Sequence, residues 1–325
     1  MGIDGLNLSA HAASLAAKDR LNSKGAGQAF VSSWVEADGA RIHCVSSGEG
    51  PVVLFIHGFP SFWFCWARQL KALRHNYRVI AIDAPGAGAT TSADAVEAYR
   101  VSALAAQIHQ LVQIVAPGQK VLLVGHDWGA ALAFAVAQAF PEQIAGVAGI
   151  ASLPFNQILA LLANDKDQQR RSSYMQRLCA LSLEQAELMA HSIVASAYAE
   201  LASFDTVDPE EMALFERACG NPRAFWNGSL WYRASLPDAQ RSLRDCMWPP
   251  TDPSLDIPGL LVWGEADEVF VPWAPEYFAA KHSNSTVLRL DGVGHWCMLE
   301  APGQVNAALL EFAHRCFDTI EMPHA

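Results

Sequence analysis

Short runs of uninterrupted apolar residues recur along this chain: VVLFI (52–56), YRVIAID (77–83), KVLLVG (120–125), GVAGIAS (146–152) and GLLVW (259–263). They lack the polar alternate positions of a strand with one wet face. Strands of this kind belong in a parallel sheet covered on both sides. Between them lie stretches with helical spacing, around Trp66–Leu73, Ala103–Val115 and WGAALAFAVAQAF (128–140), the last ended by Pro141. Strand and helix alternating in this way predict an α/β fold. A hairpin-like pair, FVSSWVEA and RIHCVSS about Asp38-Gly39, precedes the alternation, and TVLRL (286–290) with an amphipathic helix around 303–317 closes it.

The rhythm breaks after Pro154. From 155 to 245 no strand pattern is found, only helical stretches such as 156–163, 183–202 and 209–218. The expected organisation is an α/β core formed by 28–154 and 246–325, with a helical lid inserted at 155–245. Residues 1–27 read as an N-terminal appendage, an Ala-rich helix followed by a Gly-containing linker.

Composition narrows the partners. Of 325 residues, 51% are hydrophobic and 17% charged, so the chain can build a core and is not a disordered segment. Lys and Arg number 22 against 33 Asp and Glu, for a net charge of −11, and no basic run stands out. Such a chain offers no electrostatic footprint for nucleic acid or an anionic membrane. The seven cysteines are scattered without a CxxC pair, which argues against a disulfide framework and a zinc site. The first residues lack a basic segment followed by an apolar one, and no long apolar run escapes polar interruption. The expectation is a cytoplasmic protein without metal or organic cofactor.

Three motifs carry chemistry. Gly125-His126-Asp127-Trp128-Gly129 sits between a strand and a helix, the setting of a nucleophile elbow, with Asp where Ser is usual. A carboxylate is ionised at neutral pH and can attack carbon to form an ester, although an Asp here could equally cap the helix. His57-Gly58-Phe59-Pro60 follows VVLFI directly. In this architecture the loop after that strand and the residue after the nucleophile supply oxyanion-hole N–H groups, here those of Phe59 and Trp128. Gly294-His295-Trp296 follows the last strand, and Gly264-Glu265-Ala266-Asp267 follows the one before it. The chain order nucleophile, acid, histidine is therefore Asp127, Asp267, His295, with Glu265 and Glu268 as rival acids.

Over most of residues 28–318 the chain resembles the α/β-hydrolase-fold epoxide hydrolases, in HGFPSFWFCW (57–66), AIDAPGAG (81–88), GHDWG and GHW. It departs from them at Pro85, where an Arg is usual. The resemblance implies an α/β-hydrolase fold: a mostly parallel eight-stranded sheet flanked by helices, with an inserted helical cap. It also implies two lid tyrosines that hydrogen-bond the epoxide oxygen. Of the six tyrosines in the chain, Tyr174, Tyr198 and Tyr232 lie in the insertion. Tyr232, in LWYRA, and Tyr174, in SSYMQR, match that role, while Tyr198 reads as packing. The implied reaction converts a small apolar epoxide and water to a vicinal diol, in a monomer or homodimer. An alternative is a haloalkane or haloacetate dehalogenase with the same Asp and His. However, Phe59 stands where the former usually carry Asn, and Trp128 where the latter typically carry Arg. A non-catalytic ligand-binding protein is the third reading, against which stands the complete set of Asp127, Asp267 and His295.

Overall fold

The computed structural model describes residues 8–23, 29–91, 93–199, 201 and 206–321. Its centre is an eight-stranded sheet in the order β1-β2-β4-β3-β5-β6-β7-β8. β1 (Val31–Ala37) and β2 (Ala40–Ser47) form the expected hairpin, with Asp38 and Gly39 at φ 46° and 78°, the left-handed pair that a tight hairpin turn requires. β2 also pairs antiparallel with β4 (Arg78–Ile82). From there β3 (Val52–Ile56), β5 (Val121–His126), β6 (Ile144–Ile150), β7 (Gly259–Gly264) and β8 (Ser285–Leu290) run parallel. Every residue of β3, β5, β6 and β7 is buried, which is why these strands read as continuous apolar runs. β8 lies at the edge and is only partly covered.

The core helices are α2 (Ala67–Leu73), α3 (Val101–Val115) and α4 (Trp128–Ala139). Trp66, expected to begin α2, instead ends a 3₁₀ turn, Trp63–Trp66. Between β6 and β7 the chain folds into α5 (Phe155–Asn164), α6 (Lys166–Arg171), α7 (Ser173–Ala180), α8 (Leu183–Tyr198), α9 (Pro209–Cys219), α10 (Pro222–Ser235) and α11 (Leu243–Cys246). Spacing predicts α5, α8 and α9; the stretch expected to be helical to 202 includes 200 and 202, which lie outside the described residues. α12 (Ala274–Lys281), α13 (Cys297–Glu300) and α14 (Pro302–Glu321) complete the chain.

The segment read as an appendage carries α1 (Leu8–Ser23), which is packed rather than loose. Ala10, Ala13, Ala17 and Leu21 recur on one face and are buried. Trp63 Nε1 donates to Ser14 Oγ at 2.6 Å, and Arg20 pairs with Asp208 and Glu210 at the start of α9. Residues 1–7 and 24–27 of that segment lie outside the described residues. Among the described residues no helix is long and apolar enough to cross a membrane.

Candidate active site

β5 delivers its last residue, His126, to a sharp turn from which α4 departs. Asp127 occupies that turn at φ 52°, ψ −123°, a conformation costly for a residue with a side chain. Its carboxylate makes no capping bond to α4, so the geometry answers the helix-cap alternative. The turn tolerates little bulk: a Cβ on Gly129 would lie 2.1 Å from the Ile56 carbonyl oxygen.

The loop after β3 reaches the same carboxylate. Phe59 N–H donates to Asp127 Oδ1 at 2.9 Å. His57 fixes this loop from beneath. Its Nδ1 bonds the Gly58 carbonyl at 2.7 Å and its Nε2 accepts from Ala84 N–H at 2.9 Å, so Nδ1 carries the hydrogen. Burial keeps that ring neutral by lowering its pKa.

His295 stands in the loop between β8 and α13. Its Nδ1 meets Asp267 Oδ2 at 2.8 Å, and its Nε2 lies 3.7 Å from Asp127 Oδ2. Asp267 is steadied by Val269 N–H, which donates to Oδ1 at 2.6 Å. Of the rival acids, Glu265 pairs instead with Arg289 at 3.0 Å, and Glu268 is exposed at the cavity wall. Burial works against charge on His295, but Asp267 and Asp127 outweigh it and push its pKa up to about 10. Asp127 shows the converse. Burial favours its neutral acid, yet His295, His126 and the Phe59 N–H hold it below the usual carboxylate range. The pair is an ionised carboxylate beside an imidazolium.

Tyr174 on α7 and Tyr232 on α10 face the same space. Their rings meet edge to face with centroids 6.2 Å apart, and Tyr232 also packs on Phe59 at 5.6 Å and Trp128 at 5.0 Å. Burial raises both phenol pKa values, and the charge of Asp127 adds to the rise, so both stay protonated as O–H donors. Tyr198 is elsewhere: its hydroxyl bonds the Pro60 carbonyl and its ring stacks on Trp296 at 4.7 Å and Phe215 at 4.9 Å.

Asp127, His295, Tyr174 and Tyr232 line one cavity of about 400 Å³. Its apolar wall comes from Leu178, Leu181, Met189 and Ile193 on or beside α7 and α8, none of which the sequence reading singled out. Phe225 and Phe215, the aromatics of α10 and α9, pack against Phe59 and Tyr198 and do not line this cavity. The missed signal was the i, i+4 spacing of Tyr174 and Leu178, which share one face of α7, with Leu181 just past its end. A second cavity of about 570 Å³, among Leu162, Met175, Cys179 and Leu236, holds no acid or base of this set. Among the described residues no three His, Cys, Asp or Glu side chains converge as a metal would require.

An aspartate on a strand-to-helix elbow, a histidine–acid pair on the next loops and a backbone donor after β3 define an α/β hydrolase with a carboxylate at the nucleophile position. The chain belongs to the α/β hydrolase fold family, whose profile matches residues 51–302. It is 26% identical to the AB hydrolase superfamily protein YfhM of Bacillus subtilis, over 86% of this chain and 96% of that one. It is 27% identical to epoxide hydrolase B of Mycobacterium tuberculosis, over 84% and 95%. Among solved structures, an epoxide hydrolase of Bacillus megaterium in complex with an inhibitor superposes with a TM-score of 0.78. That match covers 87% of this chain and all of the other at 22% identity, a likeness of fold.

Proposed function

We propose that this protein hydrolyses an apolar epoxide to a vicinal diol through an ester on Asp127, with residues 155–245 acting as its lid. The observation that carries the reading is the pairing of two lid phenols, half-buried Tyr174 and buried Tyr232, with a buried ionised carboxylate across one apolar cavity. Relatives named epoxide hydrolases support it. None of the seven cysteines is in a disulfide, which fits a reducing compartment such as the cytoplasm.

The chemistry proceeds in two steps. An Asp127 oxygen attacks an epoxide carbon, the C–O bond of the ring breaks, and the departing oxygen takes a proton from a lid phenol. The resulting ester carries no charge on Asp127. His295 then loses one of the two carboxylates that hold its pKa up to about 10, and its proton passes to the tyrosinate, restoring the phenol. Neutral His295, still oriented by Asp267, removes a proton from water, and the hydroxide adds to the Asp127 carbonyl carbon. The Phe59 N–H, already aimed at Oδ1, and the Trp128 N–H receive the oxyanion, a stabilisation of about 3 kcal/mol per donor. Collapse breaks the ester C–O bond, and the departing oxygen takes the proton of the added hydroxyl. The diol leaves with one oxygen from Asp127, the carboxylate is restored, and His295 keeps the proton gained from water.

The test is His295→Gln mixed with an aryl or alkyl epoxide and followed by intact-protein mass. The expected result is a mass increase equal to the epoxide, mapped to the peptide that contains Asp127. An unlabelled variant, or release of halide from haloalkanes by the wild-type protein without diol from any epoxide, would overturn the reading.

A further inference from the structure

The general base of this mechanism sits on a loop, yet its reach to a bound ester has to be held to a fraction of an ångström. Asp267 orients the ring, but it does not fix the backbone that carries it. Two other buried side chains do so. The carboxylate of Glu300, 7% exposed, accepts from the backbone on both sides of His295: Gly294 N–H reaches Oε2 at 2.5 Å and Trp296 N–H reaches Oε1 at 2.9 Å. The carbonyl of His295 itself is 2.9 Å from Nε2 of the fully buried His126. A carbonyl only accepts, so Nε2 of His126 carries the hydrogen. Two peptide groups are thus held, Val293–Gly294 and His295–Trp296, the second from two directions: Glu300 of α13 accepts from its N–H, and His126, the residue preceding Asp127, donates to its carbonyl. The second grip links the two reacting side chains: His126 is covalently joined to the nucleophile and hydrogen-bonded to the backbone of the base.

The geometry points to Glu300 and His126 as positioning residues that set the alignment of His295 for ester hydrolysis. This inference rests on the covalent two-step reading. Neither side chain touches the reacting atoms of the first step; His126 adds only to a pull on Asp127 that His295 leads and the Phe59 N–H shares, so the carboxylate stays ionised without it. The second step depends on where His295 lies. A displacement of about 1 Å at such a position lowers the rate on the order of 10²-fold. Glu300→Gln keeps one acceptor but sets an amide NH₂ against a backbone N–H. His126→Phe keeps the ring volume and loses the donor, while His126→Gln keeps an N–H donor at the same reach.

The experiment is a single turnover with an epoxide, reading ester formation by protein mass and ester decay by diol release. Glu300→Gln and His126→Phe are expected to form the ester within about threefold of the wild-type rate and to clear it 10- to 100-fold more slowly, in keeping with such a displacement. His126→Gln is expected to restore most of the decay rate. In Glu300→Gln the acid limb of ester decay should also move to lower pH, because a ring drifting from Asp267 loses part of that carboxylate's upward pull. Ester decay at the wild-type rate in both variants overturns the inference. So does an equal loss of both steps, which would mean the cavity itself has collapsed. Ester formation serves as the internal check on folding, and if Glu300→Gln does not fold, the pair at His126 still decides. Absence of any ester in the wild-type protein would instead overturn the covalent reading, and the inference with it.

Discussion

Tyr232 shows how little a single atom must change for a sharp test. Its ring is clamped between Phe59 and Trp128, so Tyr232→Phe preserves the packing and deletes only the donor. Stability is expected to fall by about 1 kcal/mol, since one hydroxyl in a cavity wall is lost. Ester formation is expected to slow by about 10²- to 10⁴-fold, the range of a lost general acid. Rapid-mix mass spectrometry would measure it, and a normal rate would remove Tyr232 from the reaction. His295 supplies the pH dependence. Its native pKa lies above its ordinary 6.5, so its contribution to stability is complete below 6.5 and is lost as pH rises through about 10. Thermal unfolding should therefore fall on the alkaline side, and His295→Gln should flatten that limb. An unchanged alkaline limb in the variant would mean the imidazolium is not held as described.

The elements explain which parts of the site could be read from sequence. The elbow was legible because β5 and α4 leave no choice at their junction: a Cβ at Gly129 would meet the Ile56 and His57 carbonyl oxygens at 2.1 and 2.6 Å, so GHDWG marks its own geometry. Gly129→Ala must push two backbone segments apart, and a loss of about 3 kcal/mol or more is expected from its urea midpoint. Gly303→Ala, where nothing lies within 4 Å and α14 is already helical, should instead gain about 0.5 kcal/mol. If both variants shift alike, close approach is not what Gly129 provides. Helix α10 was illegible for the opposite reason. It is buried on nearly every side, so no polar face marks its period, and Gly228 and Ser229 in its middle read as breakers. Gly228 is there because a Cβ would lie 2.5 Å from the Phe59 ring, so the helix carrying Tyr232 can close on the loop after β3 only without one. Tyr232 was thus located by its resemblance to a motif, while the helix that presents it was not seen. The loop grips of Glu300 and His126 were equally hidden, since a side chain bonded to backbone leaves no sequence period.

At the scale of the molecule, α9 is held from two sides. Arg68 of α2 pairs with Glu211 at 2.7 Å, and Arg20 of α1 pairs with Asp208 and Glu210. α1 therefore ties α9 to the core through the Trp63–Ser14 bond, while α7 and α8 frame the cavity. Nothing in the Ala-rich sequence of α1 announces this, because its small side chains give it almost no amphipathic contrast, and what counts is how closely they let it approach. The ion pairs are partly solvated, so Arg20→Ala is expected to cost only about 0–1 kcal/mol. Leu21, 4% exposed, is different: Leu21→Ala leaves a void where α1 meets the rest, at about 2–5 kcal/mol. In a thermal scan this should lower the midpoint by on the order of 5 °C while keeping one transition. A second, earlier transition would mean that α1 and α9 melt as a separate unit. An unchanged midpoint would mean that α1 lies outside the cooperative fold and that α9 is held without it.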